Sequence, residues 1–291
     1  MAQKKSQERK NETKYILLIF LAISFLATGG IFVKLSKLPP INTGFYRVLF
    51  SIPLLFPFTY KKVRKLNKKE VGLIFLAGMF LAGDLSLWNI SFGMTTVANA
   101  NLLTNFTPFL VIPVSYFVFK EKIPKRFLLG TVITFVGIFI LMMGKVSPSI
   151  ENFKGDILAF STSIFYGSFL LMVYRLRDHI DSMVIMFISA FGSMMVLGIV
   201  IAFTEGFSFP ISFRELWPLI ALALFSQILG QGLLAFCLGK VNATISSIIC
   251  LTQPVIAAVY AYIVFGEELS IIEILGVLVS LTGVYIAKYN N

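Results

Sequence analysis

Long apolar runs separated by short polar links make up almost the whole chain. A helix needs about 17–25 residues to cross roughly 30 Å of bilayer hydrocarbon. Ten runs reach that length, and the links between them are too short to hold a soluble domain. Prolines inside runs, such as Pro108 and Pro254, are expected to kink the helices rather than end them. The pattern predicts ten transmembrane helices at residues 15–33, 41–60, 71–92, 97–119, 127–143, 157–174, 183–203, 216–238, 245–265 and 271–287.

Composition supports a membrane location for this chain. Of its 291 residues, 57% are hydrophobic and only 13% are charged, whereas a soluble domain carries about a quarter charged residues. The first run follows several basic residues and has the form of a secretory signal, but the nine further runs favour an uncleaved first helix. We therefore expect an all-α, multi-pass protein of the cell's inner (plasma) membrane.

The placement of the basic residues predicts how the helices are oriented. If the N-terminus is cytoplasmic, the tail, the even-numbered links and the C-terminus hold 19 Lys and Arg, and the odd-numbered links hold five. Because cytoplasmic loops carry the excess of Lys and Arg, both termini are expected in the cytoplasm. The net charge of +11 then reflects helix orientation and contact with anionic lipid, so no nucleic-acid partner is expected.

The chain repeats itself at an offset of 146 residues. Residues 93–140 align on residues 239–286 without a gap, and ten of the 48 positions are identical. Chance matching of apolar helices explains a shared Leu or Val, but it poorly explains proline, glutamate and two glycines in one register. Two five-helix repeats, at 15–144 and 155–288, are therefore predicted, and because five is odd they enter the membrane from opposite sides. The matches include Pro108/Pro254, Glu121/Glu267, Gly130/Gly276 and Gly137/Gly283.

A recurring motif lies in the fourth and fifth helices of each half. It combines a helix rich in small residues, a mid-helix proline, a closing glutamate and a glycine-spaced helix, as "ANANLLTNFTPFLVIPVSYFVFKE…LLGTVITFVGI" and "ISSIICLTQPVIAAVYAYIVFGEE…ILGVLVSLTGV". Each half thus resembles one EamA domain of the drug/metabolite transporter superfamily. In the second copy Thr244, Ser246 and Ser247 replace Ala98, Ala100 and Asn101. The resemblance implies a ten-span carrier of small solutes, without naming the cargo or its direction.

Polar residues at membrane depth are the candidates for binding that cargo, because ionisable groups there are expensive and usually face a cavity. From the rise of 1.5 Å per residue, Asp84 lies roughly 12 Å and Arg47 roughly 9 Å from the outer helix ends. Trp88 follows Asp84 by four positions and shares its helix face. Asn101 and Asn105 lie one turn apart on the fourth run. Together these residues predict a polar pocket with an aromatic wall.

The second half offers amides where the first half has a carboxylate. Gln231 mirrors the depth of Asp84 from the opposite side, although the 146-residue register pairs Asp84 with Gly230. Gln227 lies one turn away on the same face, and Tyr166 and Ser163 on the sixth run are expected to add to the lining.

Each candidate also has a purely structural interpretation. Arg47 is long enough to snorkel toward the outer headgroups, or to form a permanent buried pair with Asp84. The asparagines and glutamines are the residue types that hydrogen-bond between transmembrane helices, and Trp88 suits an interfacial aromatic belt. Glu121 and Glu267 are expected to begin the fifth and tenth helices, where the helix dipole favours a carboxylate.

A secondary transporter is the function expected from these features. It would move a small polar metabolite, an amino acid or similar compound, by alternating access; a cationic cargo, proton coupling, and a monomeric or homodimeric state are left open. No Walker motif, CxxC or HExxH is present, so no cofactor or metal is expected. A polytopic membrane enzyme and a channel are the alternatives, but the single histidine, His179, lies in a link.

Overall fold

A computed structural model describes residues 2–91, 94–95, 103–143, 153–266 and 270–288. Every regular element in these ranges is helical. We number the helices in chain order: α1 Ala2–Leu35, α2 Pro40–Val63, α3 Lys68–Ser91, α4 Thr107–Phe117, α5 Lys125–Met142, α6 Phe153–Leu176, α7 Ser182–Phe203, α8 Phe213–Leu238, α9 Ala243–Cys250, α10 Gln253–Phe265 and α11 Ile271–Lys288.

The helices follow the predicted apolar runs and commonly begin a few residues earlier. Within the described ranges, six helices are long and apolar enough to cross a membrane, and Thr107–Phe117 and Ile271–Ala287 are shorter apolar helices. The chain is therefore a multi-pass helical membrane protein, while the total of ten spans stays a prediction. The six are Thr13–Leu35, Lys68–Trp88, Phe153–Leu176, Ser182–Phe203, Phe213–Leu238 and Ala243–Val264.

The prolines of the repeated motif lie at helix starts rather than at kinks. Residues 105–106 and 251–252 form turns, and Pro108 and Pro254 are the second residues of α4 and α10. Proline is tolerated in the first turn because its missing N–H has no intrahelical acceptor there. Our expectation of kinks is corrected at these two sites, and both interruptions fall at the same place in the 146-residue register.

Helices α5 and α11 form the most extensive helix–helix contact in the described structure. The two helices touch at four glycines. A Cβ added to any of these glycines would lie 2.2–2.4 Å from a backbone nitrogen of the opposite helix. Small residues allow such backbone approach in membranes. The two helices run antiparallel. Adding 146 to the residue number on α5 and subtracting 146 from the residue number on α11 turns each contact into another of the four contacts. The pairs are Gly130 with Ala287, Thr134 with Gly283, Gly137 with Ser280, and Leu141 with Gly276.

The main helix contacts join one sequence half to the other. Helix α3 packs on α6 and α7, α2 packs on α7, and α1 packs on α8 and α10. Two mixed groups result, α3 with α4 and α6, and α1 with α8, α9 and α10; we call them the first and second bundle. A repeat defined by sequence is therefore not a compact unit by itself.

Links that were predicted to share the cytoplasmic side contact each other at one end of the molecule. Lys62 and Asp181 form an ion pair at 3.0 Å, and His179 Nε2 lies 3.3 Å from Glu70 Oε1. Partial burial raises the pKa of Asp181, but hydrogen bonds from Lys62 and the Met183 amide outweigh it, so the pKa is lowered overall. Asp181 also caps α7 by accepting from Met183 N at 2.9 Å.

Links predicted on the outer side meet at the opposite end. The Glu205 carboxylate, which follows α7, accepts from the backbone N–H groups of Ile41 and Asn42 at 3.1–3.2 Å. It therefore satisfies free donors in the first turn of α2. Asn42 returns the contact by donating to Gly206 O at 2.9 Å. The links alternate between two ends of the molecule, as consecutive membrane crossings require.

Candidate substrate-binding site

Polar side chains from four helices meet between the two bundles. Asp84 on α3 and Tyr166 on α6 come from the first bundle, Gln231 and Gln227 on α8 come from the second, and Arg47 comes from α2. Arg47 lies within electrostatic reach of both Tyr166 and Asp84. The structure thus brings together five residues that the sequence selected, in a region otherwise built from apolar helices.

Helix α8 presents its two glutamines from an irregular segment. Residues Leu222–Gly232 form a π-helix, and Gln227 and Gln231 are almost completely buried within it, at 1% and 2% exposure. A π-helix is less well packed than an α-helix and occurs mostly as short insertions, frequently at functional sites. Periodicity in the sequence predicted an ordinary helix here, so the π segment was missed.

Arg47 is held by an amide rather than by the carboxylate. Its Nε donates to Gln227 Oε1 at 2.8 Å, which fixes the plane of the guanidinium and leaves its outer nitrogens directed elsewhere. Among the described residues, Nε to Gln227 is the only hydrogen bond that Arg47 makes. A guanidinium has five N–H donors in a fork that fits a carboxylate. Arg47 therefore retains capacity to bind an anionic group.

Asp84 has no fixed partner in the described part of the chain. It is partly exposed, and no ion pair within 4.0 Å joins it to Arg47, although the two charges interact at longer range. The geometry thus differs from the permanent Asp84–Arg47 pair that equal depth alone permits.

A buried amide donor also lies in this region without a partner. Gln227 Nε2 makes no hydrogen bond within the described ranges, whereas the side chain of Gln231 lies within hydrogen-bonding reach of Tyr166. A buried unpaired donor costs about 1–3 kcal/mol, so Gln227 Nε2 retains capacity to bind a further acceptor.

The remaining predicted residues contribute less to the described cluster. Ser163 donates its hydroxyl to Phe160 O in its own helix at 2.7 Å, so that proton is not offered to the cavity. Trp88 and Asn105 are partly buried, with interactions beyond those that we describe. Asn101 lies outside the described residues. Cys250 lies near Tyr166.

Glu121 does not begin the fifth helix, as we had expected from the sequence. Helix α5 begins at Lys125 after an N-cap at Pro124, and the Glu121 carboxylate instead accepts from Thr244 Oγ1 at 2.5 Å. A glutamate three residues too early cannot reach the first turn of its own helix. Glu267, the equivalent residue, lies outside the described ranges.

A multi-pass helical protein with a half-buried, partner-poor charged cluster between its helices has the features of a membrane transporter. The chain belongs to the EamA-like transporter family, which matches residues 13–143 and 153–289. The match confirms the family resemblance, and it falls in two segments, one in each half of the chain.

Known relatives cover most of the chain. An uncharacterized transporter, YetK, of Bacillus subtilis is 26% identical over 82% of this chain and 72% of its own length. A probable amino-acid metabolite efflux pump of Salmonella typhimurium is 22% identical over 92% of this chain and 93% of its own. An S-adenosylmethionine uptake transporter of Rickettsia felis is 25% identical over 80% and 77%. One solved crystal structure shares the fold with a TM-score of 0.81, at 14% identity over 95% of this chain and 96% of that one.

Proposed function

We propose that this protein is a secondary transporter that moves a small polar metabolite across the cell's inner membrane by alternating access. Ten spans arranged as two inverted five-helix repeats, with both termini in the cytoplasm, are the proposed architecture. The antiparallel, symmetric packing of α5 on α11 and the 19-to-five bias of Lys and Arg support it. Alternation would occur between the two mixed bundles, because the polar cluster lies between them.

One observation carries the choice of substrate. Asp84 and Arg47 carry opposite charges in one cluster but form no ion pair, and the nearby amide nitrogen of Gln227 has no hydrogen-bond partner within the described ranges. A ligand with an ammonium group and a carboxylate would satisfy all of them: Asp84 would take the cation, with Trp88 offering a cation–π face. Arg47 and the Gln227 amide would take the anion. Asp84 is also the candidate carrier of a coupled proton.

The names of two relatives agree with this substrate class. One is named for amino-acid metabolites and another for S-adenosylmethionine, which is itself an amino-acid derivative. One of these relatives is named for efflux and the other for uptake, so the direction of transport is not inferred from them.

Ligand binding to the purified full-length protein tests the proposal, because binding to the folded state raises the unfolding temperature. Each standard amino acid would be compared with the amine that lacks its carboxylate and the acid that lacks its amino group. We expect an amino acid to raise the unfolding temperature and both single-charge analogues to fail. Asp84→Asn should abolish the effect, and Asp178→Asn, in an exposed link, is the matched control.

Flux into proteoliposomes separates a carrier from a channel. Transport of the stabilising compound should saturate and show counterflow. Flux that rises linearly with concentration would contradict the carrier, and equal stabilisation by an amine and its parent amino acid would contradict the two-charge site.

A further inference from the structure

Helices of both bundles close one end of the polar cluster. Val111 of α4, Leu171 of α6 and Ala243 of α9 form a buried apolar cluster, with Phe119 and Tyr174 packed against it. The rings of Phe119 and Tyr174 have centroids 5.1 Å apart. Tyr174 lies eight residues beyond Tyr166 on α6, which is roughly 12 Å toward the end with most basic links. This apolar layer thus separates the polar cluster from the expected cytoplasmic side.

A polar contact between α9 and the link after α4 joins the bundles at the edge of that layer. Thr244, the second residue of α9, donates its hydroxyl to Glu121 Oε2 at 2.5 Å. Hydrogen bonds to a carboxylate are short and strong, and the amino end of α9 adds a favourable dipole. Tyr174 lies beside the same carboxylate. Because Glu121 follows α4 and Thr244 begins α9, separating the bundles at this end requires this bond to break.

The same carboxylate is only half satisfied. Glu121 Oε1 is buried and has no hydrogen-bond partner in the part of the chain that the structure describes. An unsatisfied buried acceptor favours conformations in which water reaches it. The closed arrangement is therefore held by this bond and by the apolar layer, and it is opposed by one unpaired oxygen.

We propose that the Glu121–Thr244 contact keeps the resting transporter closed on its cytoplasmic side. This assigns a resting side to the proposed transport cycle and a role to Glu121 and Thr244 that is separate from substrate binding.

Distances across the cytoplasmic end measure this closure directly. Spin labels at Lys122→Cys and Lys240→Cys, both on exposed side chains, would be placed in the full-length protein with its two native cysteines replaced by alanine. Thr244→Val keeps the side-chain shape and removes the donor, and we expect a population at longer distance. Loss of a charge-assisted bond should change the closed-to-open ratio by about tenfold or more. Thr244→Ser keeps the hydroxyl and should leave the distances unchanged.

A further variant makes the outcome decisive. Glu121→Gln keeps an acceptor oxygen but removes the charge, so it should lengthen the distances less than Thr244→Val does. It also serves alone if the valine variant does not fold. Unchanged distances in both Thr244→Val and Glu121→Gln would overturn the proposal. The readout needs no substrate, so its failure is distinct from failure of the transport function.

Discussion

The packing of α5 on α11 predicts an unusually large penalty for adding one methyl group. A Cβ at Gly137 would lie 2.2 Å from Ser280 N and 2.5 Å from Ser280 Oγ, whereas ordinary contacts begin near 3.4 Å. The nearest atom is backbone, so the helices must move apart by more than an ångström over their whole contact. Overpacking of this kind costs about 1–3 kcal/mol.

The matched control is Gly72→Ala in α3, where nothing lies within 4 Å of the added Cβ. Alanine should stabilise that helix by up to about 1 kcal/mol, so the two variants should differ in unfolding free energy by about 2–4 kcal/mol. Denaturant unfolding in detergent measures the difference. The double variant with Gly283→Ala should cost less than the sum of the singles, because the first substitution already separates the helices. Equal stability of the Gly137 and Gly72 variants would refute the close-packed interface.

Four further predictions follow from other contacts. Asp84→Asn should leave the protein inserted and as stable as the wild type while transport is lost, and a loss of about 3–5 kcal/mol of stability would instead indicate a buried ion pair. Glu205→Gln should lower stability by about 1.5–3 kcal/mol, measured by unfolding, because charged acceptors bind the α2 amides more strongly. Cysteines at Lys65 and Lys122 should react with an impermeant reagent only after the membrane is opened, and labelling of intact cells at both would reverse the orientation. Folding lowers the pKa of Asp181. Its contribution to stability is therefore present above the pKa of the unfolded state and is lost as the pH falls through the pKa of the folded state. Asp181→Asn should consequently make the unfolding free energy depend less on pH in the acid range.

The helices were predictable because the bilayer imposes a length and a polarity on each of them. Backbone groups in hydrocarbon must be satisfied within the segment, so an apolar run of sufficient length has little choice but to be helical. The repeat was visible for a related reason. Gly130, Gly137, Gly276 and Gly283 sit where two backbones touch, and no larger residue fits there.

The residues of the site were predictable from the sequence, but their contacts with one another were not. Depth along each helix selected Asp84, Arg47, Gln227 and Gln231, yet depth gives no rotation about the helix axis. Sequence reasoning could therefore not see that Arg47 would bond Gln227 instead of pairing with Asp84. The contact between Glu121 and Thr244 spans 123 residues and has no local signal.

The π segment of α8 implies that the length of this helix, counted in single residues, determines what the site can bind. An α-helix turns about 100° per residue, so one residue more or less before Gln227 would swing both glutamines away from Arg47 unless the extra residue were absorbed as a π turn. Gln231 mirrors the depth of Asp84, but the 146-residue register pairs Asp84 with Gly230. The two positions differ by one residue. One residue more or less within Leu222–Gly232 is therefore expected to change which side chains of α8 face Arg47.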